Sequence, residues 1–182
     1  MASPVGHTLA GLAIFLQRFD GKSPFRPAVV AAVLLANLPD LDFLFSWMIS
    51  GDPNLYHQAF THSLFFIVMI AGALAATWRS MSGYFNSFIF YLMCLGSHLL
   101  LDFFTGPSLG ATSYGIPLLS PLTMERFRSP VTLLVGPKHQ DLDQLLSLHN
   151  GGWALYEAAL LMPILILAAM LKRPRSLTTE NP

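Results

Sequence analysis

His98 and Asp102 stand four residues apart in the stretch LGSHLLLDFF, residues 95–104. On a helix this spacing puts both side chains on one face, one turn apart. The neighbours are apolar, and ionisable groups inside an apolar, bilayer-type segment mark a function. An HxxxD pair offers an imidazole nitrogen and a carboxylate oxygen to one metal ion, or to two adjacent ions.

Residues of the same two kinds recur in other segments: His7, Asp40, Asp42, His57 and His62. Asp40 and Asp42 follow Pro39, which biases Leu38 away from helix. An extended or turning backbone is expected there, with at least one carboxylate pointing inward. His57 and His62 are five apart, a poor match to a single helical face. His57 is expected in a loop, with Thr61 or Ser63 near the helix start, where hydroxyls cap free N–H groups. Imidazole and carboxylate without thiolate suit zinc at a catalytic site, and also manganese or iron. Ligands from several elements suit two or more ions, which acidify water and clamp attacking and leaving oxygens.

Each signal has an ordinary counterpart. HxxxD also occurs as a hydrogen-bonded polar pair. NLPDLD has the composition of a turn, and His7 can cap or hydrogen-bond within a small N-terminal helix. The conjunction is what points to metal. Burying an unpaired carboxylate costs on the order of several kcal/mol. The expected spans carry no Lys or Arg to offset this, so a bound cation is the natural counter-charge.

The elements that must position these residues are membrane-like. The chain has 182 residues, 53% hydrophobic and 11% charged, with a mean hydropathy of +0.54. The length suits one domain, read as 1–171, followed by a polar cytoplasmic tail, 172–182. Net charge is zero, so bulk electrostatics give no reason to expect nucleic acid as a partner. The single Cys94 excludes an internal disulfide and a thiolate-cluster metal site. Positive charge follows the first apolar block rather than preceding it, unlike a cleaved signal peptide.

A span needs about 20 apolar residues. Ala28–Ile49, His62–Trp78 and Tyr84–Phe104 qualify, and Trp153–Leu171 makes a fourth. Val5–Phe19 is shorter and reads as a half-spanning helix packed against the others. The expected fold is therefore all-α: an integral membrane bundle of about four transmembrane helices plus a short N-terminal half-helix. Threading alternate spans puts Arg18, Lys22, Arg26, Arg79, Lys172, Arg173 and Arg175 on one side, which the positive-inside rule makes cytoplasmic. All the candidate ligands then fall at the opposite side, toward the outer leaflet of the bacterial inner membrane.

GHTLAG, LPDLD, HQAFTHSL, SHLLLD and GIPLLSPL occur here in an order that resembles the YdjM-like family of bacterial membrane-bound metal-dependent hydrolases. The resemblance covers roughly residues 3–121. It implies a metal-dependent hydrolase with His7, Asp40, Asp42, His57, His62, His98 and Asp102 at the metal. The chain departs from the family pattern after His57, where Gln58 and Ala59 replace an Arg and a Gly. That change removes a cation from the rim. The ligand order is also similar to that of zinc-dependent phospholipase C, in which such residues share a zinc cluster. That family's later ligands are two His and a Glu; His139, His149 and Glu157 are available here, with poorer spacing.

The expected function is hydrolysis of a phosphoester, on a phospholipid headgroup or lipid-linked phosphate. Asp42 or Glu157 is the candidate general base, with Asp42 alternatively a ligand or the orienter of a ligating His. Arg126, Arg128 and Lys138 are available to an anionic headgroup, and are otherwise solvated loop charges. GPSLGATSYGIPLLSP (106–121) is either a lid over the site or a surface loop. The rival class is a metal-ion or small-solute transporter, or a metal-binding membrane protein without hydrolytic activity. It would require a polar path continuing to the cytoplasmic side. A structural role for the polar cluster is a third class.

Overall fold

The computed structural model describes residues 1–19, 24–111, 114–138, 144 and 146–171. The polar tail, His139, Asp141, Asp143 and Lys22 lie outside the described residues. The chain is mostly helical: α1 (Pro4–Arg18), α2 (Phe25–Asn37), α3 (Leu41–Ser50), α4 (Leu64–Thr77), α5 (Tyr84–Phe103) and α6 (Leu148–Leu171). Two short 3-10 turns, Leu38–Asp40 and Phe60–His62, precede α3 and α4.

Three segments are long and apolar enough to cross a membrane: Phe25–Ser50, Tyr84–Phe103 and Leu148–Leu171. α4 is apolar but has only 14 residues, about 21 Å at 1.5 Å per residue, against a hydrocarbon core of about 30 Å. It is shorter than the expected His62–Trp78 span because His62 belongs to a 3-10 turn and Ser63 is spent as the N-cap, accepting from Phe66 N–H at 3.1 Å. α6 starts earlier than the expected Trp153. The Ser147 hydroxyl accepts from Asn150 N–H at 3.3 Å, a capping contact that carries Gly151 and Gly152 into the helix despite their low propensity.

α1 lies at the centre, against α2, α5 and α6, while α4 packs on α5. The close approach of α1 to α2 depends on Gly11. A Cβ there would stand 2.5 Å from the Ala32 carbonyl oxygen and 2.8 Å from the Ala36 Cβ. The buried core joins Phe15, Ala28, Ala32, Ile67, Ala71, Tyr91, Cys94 and Leu95. Of the extended or turning backbone expected around Pro39, the structure takes the turning form, although Leu38 itself is not biased away from helix. It is helical, with φ −60° and ψ −44°. The chain tightens into the 3-10 turn, where Leu38 donates to Leu35 and the Leu41 N–H returns to Leu38 and Pro39 carbonyls. Asn37 steadies the junction by donating to the Val33 carbonyl at 2.8 Å and to the Thr8 hydroxyl at 3.1 Å.

The segment after α5 forms a wall. Thr105–Gly106 pairs in parallel with Leu134–Val135, and Ile116 bridges Phe127. Leu64 at the start of α4 donates to the Leu118 carbonyl at 2.9 Å. Asn150 then ties the wall to α6, exchanging hydrogen bonds with Lys138 N–H and C=O, both at 2.8 Å.

Candidate metal centre

Four atoms from three segments meet near the C-terminal end of α5: Asp40 Oδ1, His62 Nε2, His98 Nε2 and Asp102 Oδ2. His62 to His98 is 3.2 Å, His98 to Asp40 is 3.3 Å and to Asp102 3.6 Å. His62 to Asp40 is 3.4 Å and to Asp102 3.2 Å. All four ligand atoms lie within 4.8 Å of one another. Tetrahedral ligands at about 2.0–2.2 Å from zinc stand about 3.3–3.6 Å apart. Each of the five distances lies within about 0.1 Å of that range, so the donor set fits one ion.

The other faces of the two carboxylates point elsewhere. His7 Nε2 is 3.7 Å from Asp40 Oδ2 and 3.4 Å from Asp102 Oδ1. His7 stacks on His98 with ring centroids 3.8 Å apart. Both ring nitrogens of His7 and both oxygens of Asp40 are buried without a hydrogen-bond partner. Buried polar atoms are rarely left so, and a cation between His7 Nε2 and Asp40 Oδ2 would satisfy one atom of each residue. Among the described residues, the ion-pair partners of Asp40, Asp42 and Asp102 are histidines.

Surrounding groups fix the rings. His98 Nδ1 faces the Ala36 carbonyl at 2.8 Å, which assigns the hydrogen to Nδ1 and leaves the Nε2 lone pair toward the centre. His62 Nδ1 lies 3.0 Å from the Thr61 hydroxyl and 3.4 Å from Asp42 Oδ2. Asp42 also meets His57 Nδ1 at 2.6 Å, accepts Gln58 N–H at 3.1 Å and accepts the Thr61 hydroxyl. Asp42 thus braces two histidines, as carboxylates behind metal-binding imidazoles do. Asp40, Asp42 and His57 also form a second group with metal-ligand geometry.

Glu157 is fully buried and lies at the start of α1 rather than among the ligands. It accepts Ser3 N–H at 2.9 Å and the Ser3 hydroxyl, while the Ser3 hydroxyl caps Gly6 N–H at 3.3 Å. A Cβ on Gly6 would stand 2.6 Å from Glu157 Oε2. Glu157 therefore holds the turn that carries His7. His149 lines the adjoining cavity.

Thr61 and Ser3 were not singled out by sequence as parts of the site, and Gln58 entered only as a departure from the family pattern; Arg126 was expected near an anionic headgroup. Gln58 has φ +53°, unusual for a non-glycine residue. Its amide lies 3.4 Å from Asp102 Oδ2, and its carbonyl accepts from Arg126 at 3.1 Å. Arg126 also donates to the Gly115 carbonyl at 3.0 Å, placing a guanidinium at the rim that lacks the family's Arg. A departure from family pattern next to His57 was the one sequence signal for Gln58.

No curated protein and no solved structure matches the chain, so the similarity to phospholipase C rests on ligand order alone. The motifs that place His7, Asp40, His62, His98 and Asp102 at one point fall inside a match spanning residues 1–175, and the chain belongs to the family described as YdjM inner membrane protein.

Proposed function

We propose that the protein is a multi-pass inner-membrane metallohydrolase that cleaves phosphoesters of lipids or lipid-linked phosphates at the non-cytoplasmic side. The observation that carries this reading is the near-tetrahedral set of Asp40, His62, His98 and Asp102. Zinc fits the donor chemistry best, with manganese and iron compatible. Asp40 and Asp102 each turn one oxygen to His62 and His98 and the other to His7. Asp40, His62, His98 and Asp102 would hold one ion, and His7 with the second oxygens of Asp40 and Asp102 would offer ligands to another.

Bound divalent ions there supply Lewis-acid polarisation of a phosphoryl oxygen and acidify water. In the reaction, water adds to phosphorus and the P–O bond to the leaving alcohol breaks. The departing oxygen takes up a proton. His57 is the residue we assign to move that proton, because Asp42 holds its Nδ1 at 2.6 Å and so orients the ring. Asp42 acts as the positioning carboxylate. Glu157 positions the first turn of α1 and is not assigned proton transfer.

An apolar core on the far side of His98 favours this reading over transport. Leu95, Cys94, Tyr91, Ile67 and Ala71 pack there, whereas an ion pathway uses a chain of polar groups. The test is metal content of detergent-purified protein, wild type against the His98→Ala/Asp102→Asn double variant, followed by turnover on a phosphoester panel. Tight metal lost in the variant, with turnover in the wild type alone, supports the reading. Metal without turnover on any phosphoester removes the hydrolase. No metal after zinc and manganese reconstitution removes the centre.

A further inference from the structure

Two cavities, the first more polar than the second, meet at the centre. One, about 580 Å³, is bounded by Asp102, Gln58, Tyr114, Lys138 and His149. The other, about 500 Å³, is bounded by Asp40, Val5, Leu41, Phe43, Leu44 and Ala154. Met1 and Pro137 line both. The donors of the polar side chains that touch the second cavity are already engaged, while Asn37 Oδ1 is buried without a partner. Ser3 is bound to Glu157, Asn37 to Val33 and Thr8, and Asn150 to Lys138 and Gln144. What this cavity presents is hydrocarbon, ending on a carboxylate whose two buried oxygens lack hydrogen bonds.

We propose that this groove, between the first turn of α1, α3 and the start of α6, seats the hydrocarbon tail of a single membrane lipid. The phosphorylated head of that lipid lies in the cavity beside Lys138 and Gln58, and the ester joining the two parts is held at Asp40 and Asp102. This rests on the phosphoesterase reading and names its substrate class.

The placement of the groove argues for a lipid tail over a soluble ligand. Its walls α3 and α6 belong to two of the segments able to cross a membrane, and Leu41, Leu44 and Val5 on it are exposed. A tail moving from bilayer to groove exchanges one apolar medium for another, so it gains little affinity. What the groove supplies is register: a tail fixed on the Asp40 side leaves the linkage at the metal ligands and the charged head on the Asp102 side. Lys138 lines that side, and Arg126, bound to the Gln58 carbonyl, stands at its rim.

The test uses phosphatidic acid bearing a photoactivatable diazirine near the start of one acyl chain, with full-length protein in lipid nanodiscs. Wild type and Ala154→Trp, which fills the groove without touching a proposed ligand, are photolysed, and labelled peptides are mapped. Metal content is measured on the same samples. Labelling of Val5, Leu41 or Leu44 that excess unlabelled phosphatidic acid removes, and that falls at least fivefold in Ala154→Trp at unchanged metal content, is the expected result. Labels scattered over the outer faces of the helices, equal in both proteins, overturn the groove. Competition by glycerol 3-phosphate as strong as by phosphatidic acid overturns it in favour of a soluble phosphate ester. Labelling in the groove with no metal bound keeps the tail site and sinks the metallohydrolase instead.

Discussion

The Nε2 atoms of His62 and His98 face each other at 3.2 Å, while the Nδ1 of each ring is engaged on its other side. With Nδ1 of both rings protonated, two bare lone pairs meet, flanked by two buried carboxylates. A cation resolves both conflicts at once. The sequence separation of the two rings is 36 residues, so the meeting is a product of the fold and not of local geometry.

Ligands and braces should separate in metal affinity. Asp42→Asn removes the group behind His57 and His62 but none of the four near-tetrahedral donors. Its affinity should fall by roughly 10–100-fold, the usual effect of a supporting group. His98→Ala and Asp40→Asn should fall further. Chelator competition on folded, detergent-purified variants gives the ranking, and an Asp42→Asn defect equal to that of His98→Ala would count against the bracing role.

His57 has two chemically distinct assignments, proton carrier or ligand. As a proton carrier it can be replaced by Gln with metal stoichiometry unchanged and turnover reduced by about 10²–10⁴-fold. Loss of a metal equivalent in His57→Gln would instead place His57 with Asp40 and Asp42 in the second donor group.

Gly11 sets the distance between α1 and α2. Gly11→Ala forces its methyl against the Ala32 carbonyl oxygen and the Ala36 side chain, an overpacking that costs about 1–3 kcal/mol. Thermal unfolding in detergent should show a lower Tm for Gly11→Ala. An unchanged Tm would mean that α1 shifts freely on α2, and His7 would then lose its fixed position.

Gln58 holds a left-handed backbone, with φ +53°, that costs about 1–2 kcal/mol for a residue with a side chain. Gln58→Gly should relieve that cost and raise Tm, while Gln58→Ala keeps the strain and loses the amide near Asp102. A Tm for Gln58→Ala above that of Gln58→Gly would contradict this account.

The parts of the site legible in sequence are those governed by local period and solvation. His98 and Asp102 share a face because they lie one helical turn apart, and both are buried. Asp40 is bound to be costly in its apolar block, so an inward, cation-seeking role follows. The division of labour between Asp40 and Asp42 was not legible. It depends on His57, Gln58 N–H and Thr61, which arrive from a loop 15–19 residues later. The role of Glu157 was hidden for the same reason: its partner Ser3 is 154 residues away. Helix ends were misjudged where one hydroxyl decides them, as Ser63 shortens α4 and Ser147 lengthens α6. Hydropathy registers the apolar run but not the side chain that begins or ends it.

The hydrogen bonds from Ser3 to Glu157 also carry a schedule. At roughly 5–20 residues per second, synthesis of the 154 residues between them takes about 8–30 s. Through that interval the α1 turn that aims His7 has no anchor, and for its last third Asp40, His62, His98 and Asp102 have all been made. A pairing across so much chain forms late, after the loop between its ends has closed. Completion of the second ion position is therefore tied to arrival of the last helix, and a polypeptide stalled before α6 carries at best half a centre.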